Sequence, residues 1–132
     1  MNDMACVDRA RVLIADEYEP VRNRVAKVLS GEFMIVGAVA DGERLVEPEA
    51  QLCPDLVVVD IGMPVMSGIE AAAHIRERGW RVPIVCLTAS VEPEVRQAAF
   101  DAGVDAYVVK GSLGEDLVPA VKAALAGRTT TD

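Results

Sequence analysis

Four short apolar runs in this chain each end in a residue able to do chemistry. Ala10 to Ala15 runs into two adjacent acids, Asp16 and Glu17; Leu56 to Val59 runs into Asp60. Val82 to Leu87 runs into Thr88, and Asp105 to Val109 into Lys110. Each has a bland reading by itself: Asp60 alone reads as a carboxylate that caps a helix or satisfies a loop. Brought together they read differently, because three carboxylates repel one another unless a cation joins them. Oxygen ligands with positions to spare suit Mg2+ (or Mn2+), which keeps waters and accepts phosphate oxygens. A lysine among the acids would pair with them at rest and could hold an anionic group on Asp60. The Thr88 hydroxyl adds a neutral donor. A carboxylate nucleophile, a metal and donors aimed at an anion suit phosphoryl transfer to Asp60, giving an acyl phosphate.

That chemistry needs a fold that gathers four strand ends. The unalternated, β-branched run Leu56–Val59 has the pattern of a strand buried on both faces. Pro20 fits the first turn of a helix whose Val21, Val25, Val28 and Leu29 fall at helical spacing, with Gly31 stopping it. Phe33 to Val39 reads as a strand, Asp41-Gly42 as a turn, and Arg44 to Cys53 as a helix that Pro48 should kink or shorten. Pro64 and Gly68 punctuate the loop after Asp60; Ser67 and Glu70 make a capping box, and Gly79 closes that helix. Glu92-Pro93-Glu94 opens another helix, ended by Gly103 as a left-handed cap. Ser112 and Glu115 form a second capping box for a last helix, which Pro119 should bend. Strand and helix thus alternate with short connections. The pattern implies right-handed crossovers and an α/β, doubly wound parallel sheet whose carboxyl ends share one edge. Residues 1–9 read as a loose leader, 10–126 as the single domain, and 127–132 as a polar tail or the start of a linker.

Composition narrows the function classes. With a net charge of −8, thirteen Lys and Arg scattered among twenty-one acids offer no basic face for nucleic acid. No run approaches a membrane span, and the N-terminus lacks the basic flank and apolar run of a signal peptide, so a cytoplasmic location is the default. Cys6, Cys53 and Cys86 have no C-x-x-C spacing, which indicates neither a disulfide framework nor a zinc site. His74, the only histidine, lies amid Arg and Glu and reads as a surface residue.

Four pieces carry a resemblance: L-I-A-D-E (13–17), V-V-V-D-I-G-M-P-V-M-S-G-I-E (57–70), I-V-C-L-T-A (84–89) and D-A-G-V-D-A-Y-V-V-K (101–110). From Val12 to Ala126 the chain resembles the receiver domain of bacterial two-component response regulators. The resemblance implies a flavodoxin-like sheet of strand order 2-1-3-4-5 and phosphorylation of Asp60 by a sensor histidine kinase. It implies Mg2+ held by Asp16, Glu17, Asp60 and the Gly62 backbone carbonyl, and phosphoryl contacts from Thr88 and Lys110. Tyr107 would be an aromatic switch, acting through the helix from Glu92, the strand ending at Val109 and the last helix, with homodimerisation as one output. The wording G-A-V-A-D-G-E (37–43) and A-A-L-A-G (123–127) resembles the branch with a helix-turn-helix output domain, through which alone DNA would be bound.

The chain also departs from the family pattern. Glu17 stands where aspartate is common, and its longer arm should reach a metal directly or through water. Gly62 places no side chain beside the phosphoryl group. Lys110 precedes Gly111 rather than proline; a cis bond there would cost about 2.5–4 kcal/mol, so trans is expected. Two rivals compete with the phosphoacceptor reading: a degenerate receiver serving only as an interaction module, and a phosphatase with an aspartyl nucleophile. The intact set Asp16, Asp60, Thr88 and Lys110 opposes the first. Gly62, where the phosphatase needs a second acid, opposes the other. A flavin module shares the topology, but Asp16-Glu17 after the first strand would repel its phosphate.

Overall fold

The computed structural model describes residues 9–46, 53–63, 65–89 and 91–130. Its elements are β1 (Arg11–Ala15), α1 (Glu19–Leu29), β2 (Met34–Val39), α2 (Gly42–Val46), β3 (Leu56–Asp60) and α3 (Gly68–Glu77). They continue as β4 (Ile84–Thr88), α4 (Pro93–Asp101), β5 (Ala106–Val109), a 3-10 turn at Lys110–Ser112 and α5 (Leu113–Thr130). The five strands form one parallel sheet, as expected from the alternation, in the order β2-β1-β3-β4-β5 that the family resemblance implies.

Side-chain alternation on the central strands divides the core in two. Val12 and Ile14 of β1, Leu56 and Val58 of β3, and Val85 and Leu87 of β4 face α1 and α5. The intervening Leu13, Ala15, Val57, Val59, Ile84 and Cys86 face the helices of the other layer, through residues such as Leu45, Ala72, Ile75 and Ala99. Both faces being covered explains why these strands read as continuous apolar runs. Edge strand β2 is half exposed and carries a register shift, Val12 pairing Ile35 and Leu13 pairing Gly37.

The helix starts follow local chemistry, with differences from expectation. Pro20 sits in the first turn of α1, and the Ser67–Glu70 capping box forms in both directions. Helix α2 begins at Gly42, two residues earlier than expected, because the Asp41 carboxylate accepts the Arg44 N–H at 2.8 Å and makes Asp41 a cap. Pro48 lies in residues 47–52, outside the described residues, and Cys53, the expected end of that helix, is not helical, its left-handed φ of +56° being incompatible with a right-handed helical turn. The Ser112–Glu115 box is absent: Ser112 belongs to the 3-10 turn, so its backbone is helical and not the extended form of a capping residue. Helix α5 continues through Pro119 to Thr130, beyond the last apolar signal, since helical hydrogen bonding does not require a buried face at every turn. Gly79 and Gly103 close α3 and α4 at φ +80° and +107°. No described peptide bond is cis, Lys110–Gly111 included.

Candidate functional site

The sheet register places the strand ends side by side. Ala15 pairs Val59, Asp60 pairs Leu87, and Thr88 pairs Val109, so Asp16, Asp60, Thr88 and Lys110 meet at the carboxyl edge of four adjacent strands. Asp16 and Asp60 are both buried, and Thr88 is buried beside them. Lys110 Nζ lies 2.9 Å from Asp60 Oδ1 and 3.4 Å from Asp16 Oδ2. One ammonium therefore spans two carboxylates.

That cation incompletely satisfies the acids. Asp16 Oδ1 accepts the Tyr18 N–H at 2.9 Å, whereas Asp16 Oδ2 is buried without a hydrogen bond. Burial raises the Asp16 pKa above the ordinary 3.8; the Tyr18 N–H offsets part of this, and the Asp60 charge adds to it. For Lys110, burial opposes the charge. The hydrogen bond and field of Asp60, joined by Asp16, outweigh burial and hold its pKa above 10.5. Beneath the site, burial and then the Asp60 charge push the Cys86 thiol up to about 12, so it remains an inert core group.

Glycine geometry shapes the entrance. A Cβ on Gly62 would stand 3.9 Å from Asp60 Oδ2, so that face of the carboxylate is open. A Cβ on Gly68 would fall 2.4 Å from the Asp60 carbonyl oxygen, so only glycine lets α3 start against β3. Between them Val65, a β-branched and exposed residue, is held at φ +67°, an uncommon and strained conformation.

Two expected site residues stand apart from this cluster. Glu17 is exposed, and no group of three acid, histidine or cysteine side chains that could hold a metal occurs among the described residues. Successive residues leaving β1 diverge, Asp16 inward and Glu17 outward. Tyr107 is half-buried on β5, its ring 6.3 Å from that of Phe100, with the Arg96 guanidinium 5.7 Å from Phe100 and 6.0 Å from Tyr107.

Sequence reasoning missed Arg22, whose Nη1 donates to the carbonyl oxygens of Asp16 at 2.7 Å and Glu17 at 3.2 Å. A signal existed: Arg22 shares the inward stripe of α1 with Val25 and Leu29, where an arginine needs partners.

The donor set fits a divalent cation. A buried carboxylate oxygen without a hydrogen bond, beside a second carboxylate and the exposed Gly62, offers oxygens only, with positions left for water.

Comparison with known proteins places this arrangement. Residues 12–122 match the response regulator receiver domain family. Over 117 residues the chain is 41% identical to the transcriptional regulatory protein PdtaR of Mycobacterium tuberculosis, covering 87% of this chain and 56% of that protein. It is 32% identical over 114 residues to the response regulator protein VraR of Staphylococcus aureus, covering 85% of this chain and 54% of VraR. The chain thus spans about half the length of these regulators. The signal receiver domain of NarL from M. tuberculosis superposes with a TM-score of 0.84 at 28% identity, covering 90% of this chain and 98% of that one. A LuxR-family two-component response regulator from Aurantimonas sp. superposes at 0.85 and 31%, covering 91% and 87%.

Proposed function

The chain belongs to the response regulator receiver family, and from that premise we propose that it is a phosphoacceptor, taking a phosphoryl group on Asp60 from a sensor histidine kinase. The observation that carries this reading is the Lys110 bridge between two buried carboxylates, in which Asp16 Oδ2 has the ion pair at 3.4 Å but no hydrogen bond. Lys110 holds Oδ1 of Asp60, and Oδ2 on the Gly62 side is the more open nucleophile. Attack forms a bond from an Asp60 oxygen to phosphorus as the bond to the donor's leaving atom breaks, the electron pair departing with the donor. Lys110 and the Thr88 hydroxyl then stabilise the charge spread over the phosphoryl oxygens. Asp16, Asp60 and the Gly62 carbonyl would hold Mg2+ or Mn2+, with Glu17 contributing through water. A bound metal supplies charge neutralisation at the phosphoryl oxygens.

The signal would leave the site through Thr88 and Tyr107. A phosphoryl group offers Thr88 a new acceptor, and an inward shift of its hydroxyl opens space beside β5. Tyr107, already half-buried against Phe100 and Arg96, can settle there. Reversing a 1:99 equilibrium takes about 5.5 kcal/mol of differential stabilisation. One charge-assisted hydrogen bond supplies roughly 1.5–3 kcal/mol. The shift is therefore partial, and dimerisation or a partner on α4, β5 and α5 completes it. A helix-turn-helix output is the part of this proposal that draws on LuxR-family likeness. No described helix is long and apolar enough to cross a membrane.

Incubation with a small acyl-phosphate donor tests the reading against its rivals. The account expects one phosphoryl group per chain, subsequently lost to water, and no turnover of an external phosphomonoester. No uptake would leave an interaction module; phosphomonoester turnover would indicate a phosphatase. A second comparison tests the switch: phosphorylated Thr88→Ala should self-associate less than phosphorylated wild type, and equal association would refute it.

A further inference from the structure

We infer that Arg22 is a positioning residue for the divalent cation of this site: its guanidinium ties together the backbone of Asp16 and Glu17 and sets the turn from which both acids project. The inference rests on the phosphoacceptor reading and adds a residue to it.

The turn after β1 is held at few points. The Asp16 N–H donates to the Val39 carbonyl at 3.0 Å, and Asp16 Oδ1 accepts from Tyr18. Glu17 has no hydrogen bond among the described residues except the one its carbonyl accepts from Arg22, at 3.2 Å. The same Nη1 reaches the Asp16 carbonyl at 2.7 Å, so one guanidinium nitrogen spans both peptide groups. Arg22 itself is seated in α1 three residues before the buried Val25, which fixes where the guanidinium can lie. Its partners are carbonyls rather than carboxylates. Arg22 therefore occupies none of the acids' side-chain oxygens, and Asp16 Oδ2, which has the Lys110 ion pair but no hydrogen bond, keeps capacity for a cation.

Two effects of Arg22 on a bound cation oppose each other, which makes the inference sharp. Its positive charge repels a metal, so neutralising it would tighten binding if charge were all that mattered. Its hydrogen bonds orient the ligand-bearing turn, so removing them weakens binding, as loss of groups that orient metal ligands does by about 10–100-fold. The guanidinium is delocalised and screened by two carbonyl dipoles, and the turn has little else to hold it. The positioning effect should prevail.

The test is Mn2+ binding to the unphosphorylated chain, followed by the electron paramagnetic resonance of free Mn2+, for wild type, Arg22→Met and Arg22→Lys. The dissociation constant should rise about tenfold in Arg22→Met. Arg22→Lys should recover only part, because an ammonium restores the charge but ends one bond short of the Nη1 that spans both carbonyls. The metal concentration giving half-maximal phosphorylation should rise in step, by more than the plateau rate falls. Binding by Arg22→Met as tight as wild type, or tighter, would overturn the inference, as would full recovery in Arg22→Lys. Should Arg22→Met fail to fold, Arg22→Lys decides alone: weaker Mn2+ binding at an unchanged metal-free melting temperature supports positioning, and equal binding refutes it. Wild type that binds Mn2+ in an Arg22-dependent way yet takes no phosphoryl group would remove the phosphoacceptor reading and leave this one standing. Wild type that binds no Mn2+ would remove both.

Discussion

The two edges of the sheet use the same ingredients, a cation and a carboxylate, and finish differently. At the amino edge Arg76 donates to the Gly103 carbonyl through Nε and Nη2, to the Trp80 and Val82 carbonyls through Nη1, and to Asp105 Oδ2 at 3.0 Å. Asp105 Oδ2 also accepts the Ile84 N–H. Gly103 leaves room for the arginine stem, since a Cβ there would lie 2.6 Å from Arg76 Cγ. At the carboxyl edge one lysine serves two acids, one buried oxygen has that ion pair but no hydrogen bond, and a strained loop flanks the opening. A completed cluster staples elements together. An uncompleted one retains binding capacity, and it lies at the edge where α/β sheets bind ligands.

The largest expected effect breaks the completed edge. Arg76→Ala strands three carbonyls and leaves Asp105 with only the Ile84 N–H. Its part exposure discounts the loss to about 2–3 kcal/mol. Urea unfolding should show a lower midpoint at unchanged slope, while phosphoryl uptake by the folded protein persists. A stable Arg76→Ala, or one that folds but takes no phosphate, would erase the contrast between the edges. Next is metal at the uncompleted edge. Mg2+ at ten times its dissociation constant should stabilise the chain by about 1.4 kcal/mol, read as a higher melting temperature, and leave Asp60→Asn less affected.

The smallest effect sharpens the comparison through pH. The Asp16 carboxyl is raised above 3.8 in the fold, so the native state holds that proton more tightly than the unfolded chain. Its stabilising contribution is complete below the unfolded value and is lost as pH rises through the folded value. Without metal, wild type should therefore lose ground to Asp16→Asn as pH climbs from 3.8 towards neutrality, in denaturation curves compared pH by pH. Lys110, raised above 10.5, contributes evenly across that range and does not mask the trend. A difference independent of pH would mean that Asp16 is fully satisfied.

What could be read from the sequence follows from who the partners are. Asp60, Thr88 and Lys110 each end an apolar run, and parallel pairing does the rest, so their meeting is legible from the sequence alone. The boundary of β3 was also legible, because Leu56–Asp60 is buried throughout. Arg22 and Arg76 were not singled out, because most of their partners are backbone carbonyls, which every residue possesses. Asp41 read as a turn although its carboxylate caps α2; the residue type suits both uses, and only the path of the chain decides. Glu17 lies one residue from a buried acid and yet is exposed, a distinction that adjacency in sequence does not make.

The central claim is that the uncompleted edge accepts a phosphoryl group at Asp60 and not at its buried neighbour Asp16. The direct measurement is peptide-level mass spectrometry of the chain after brief exposure to an acyl-phosphate donor with Mg2+, in wild type and Asp60→Asn. The account predicts a single phosphoryl group on the peptide carrying Asp60 and none on Asp60→Asn. A group found on the Asp16 peptide, or an undiminished adduct in Asp60→Asn, would contradict it.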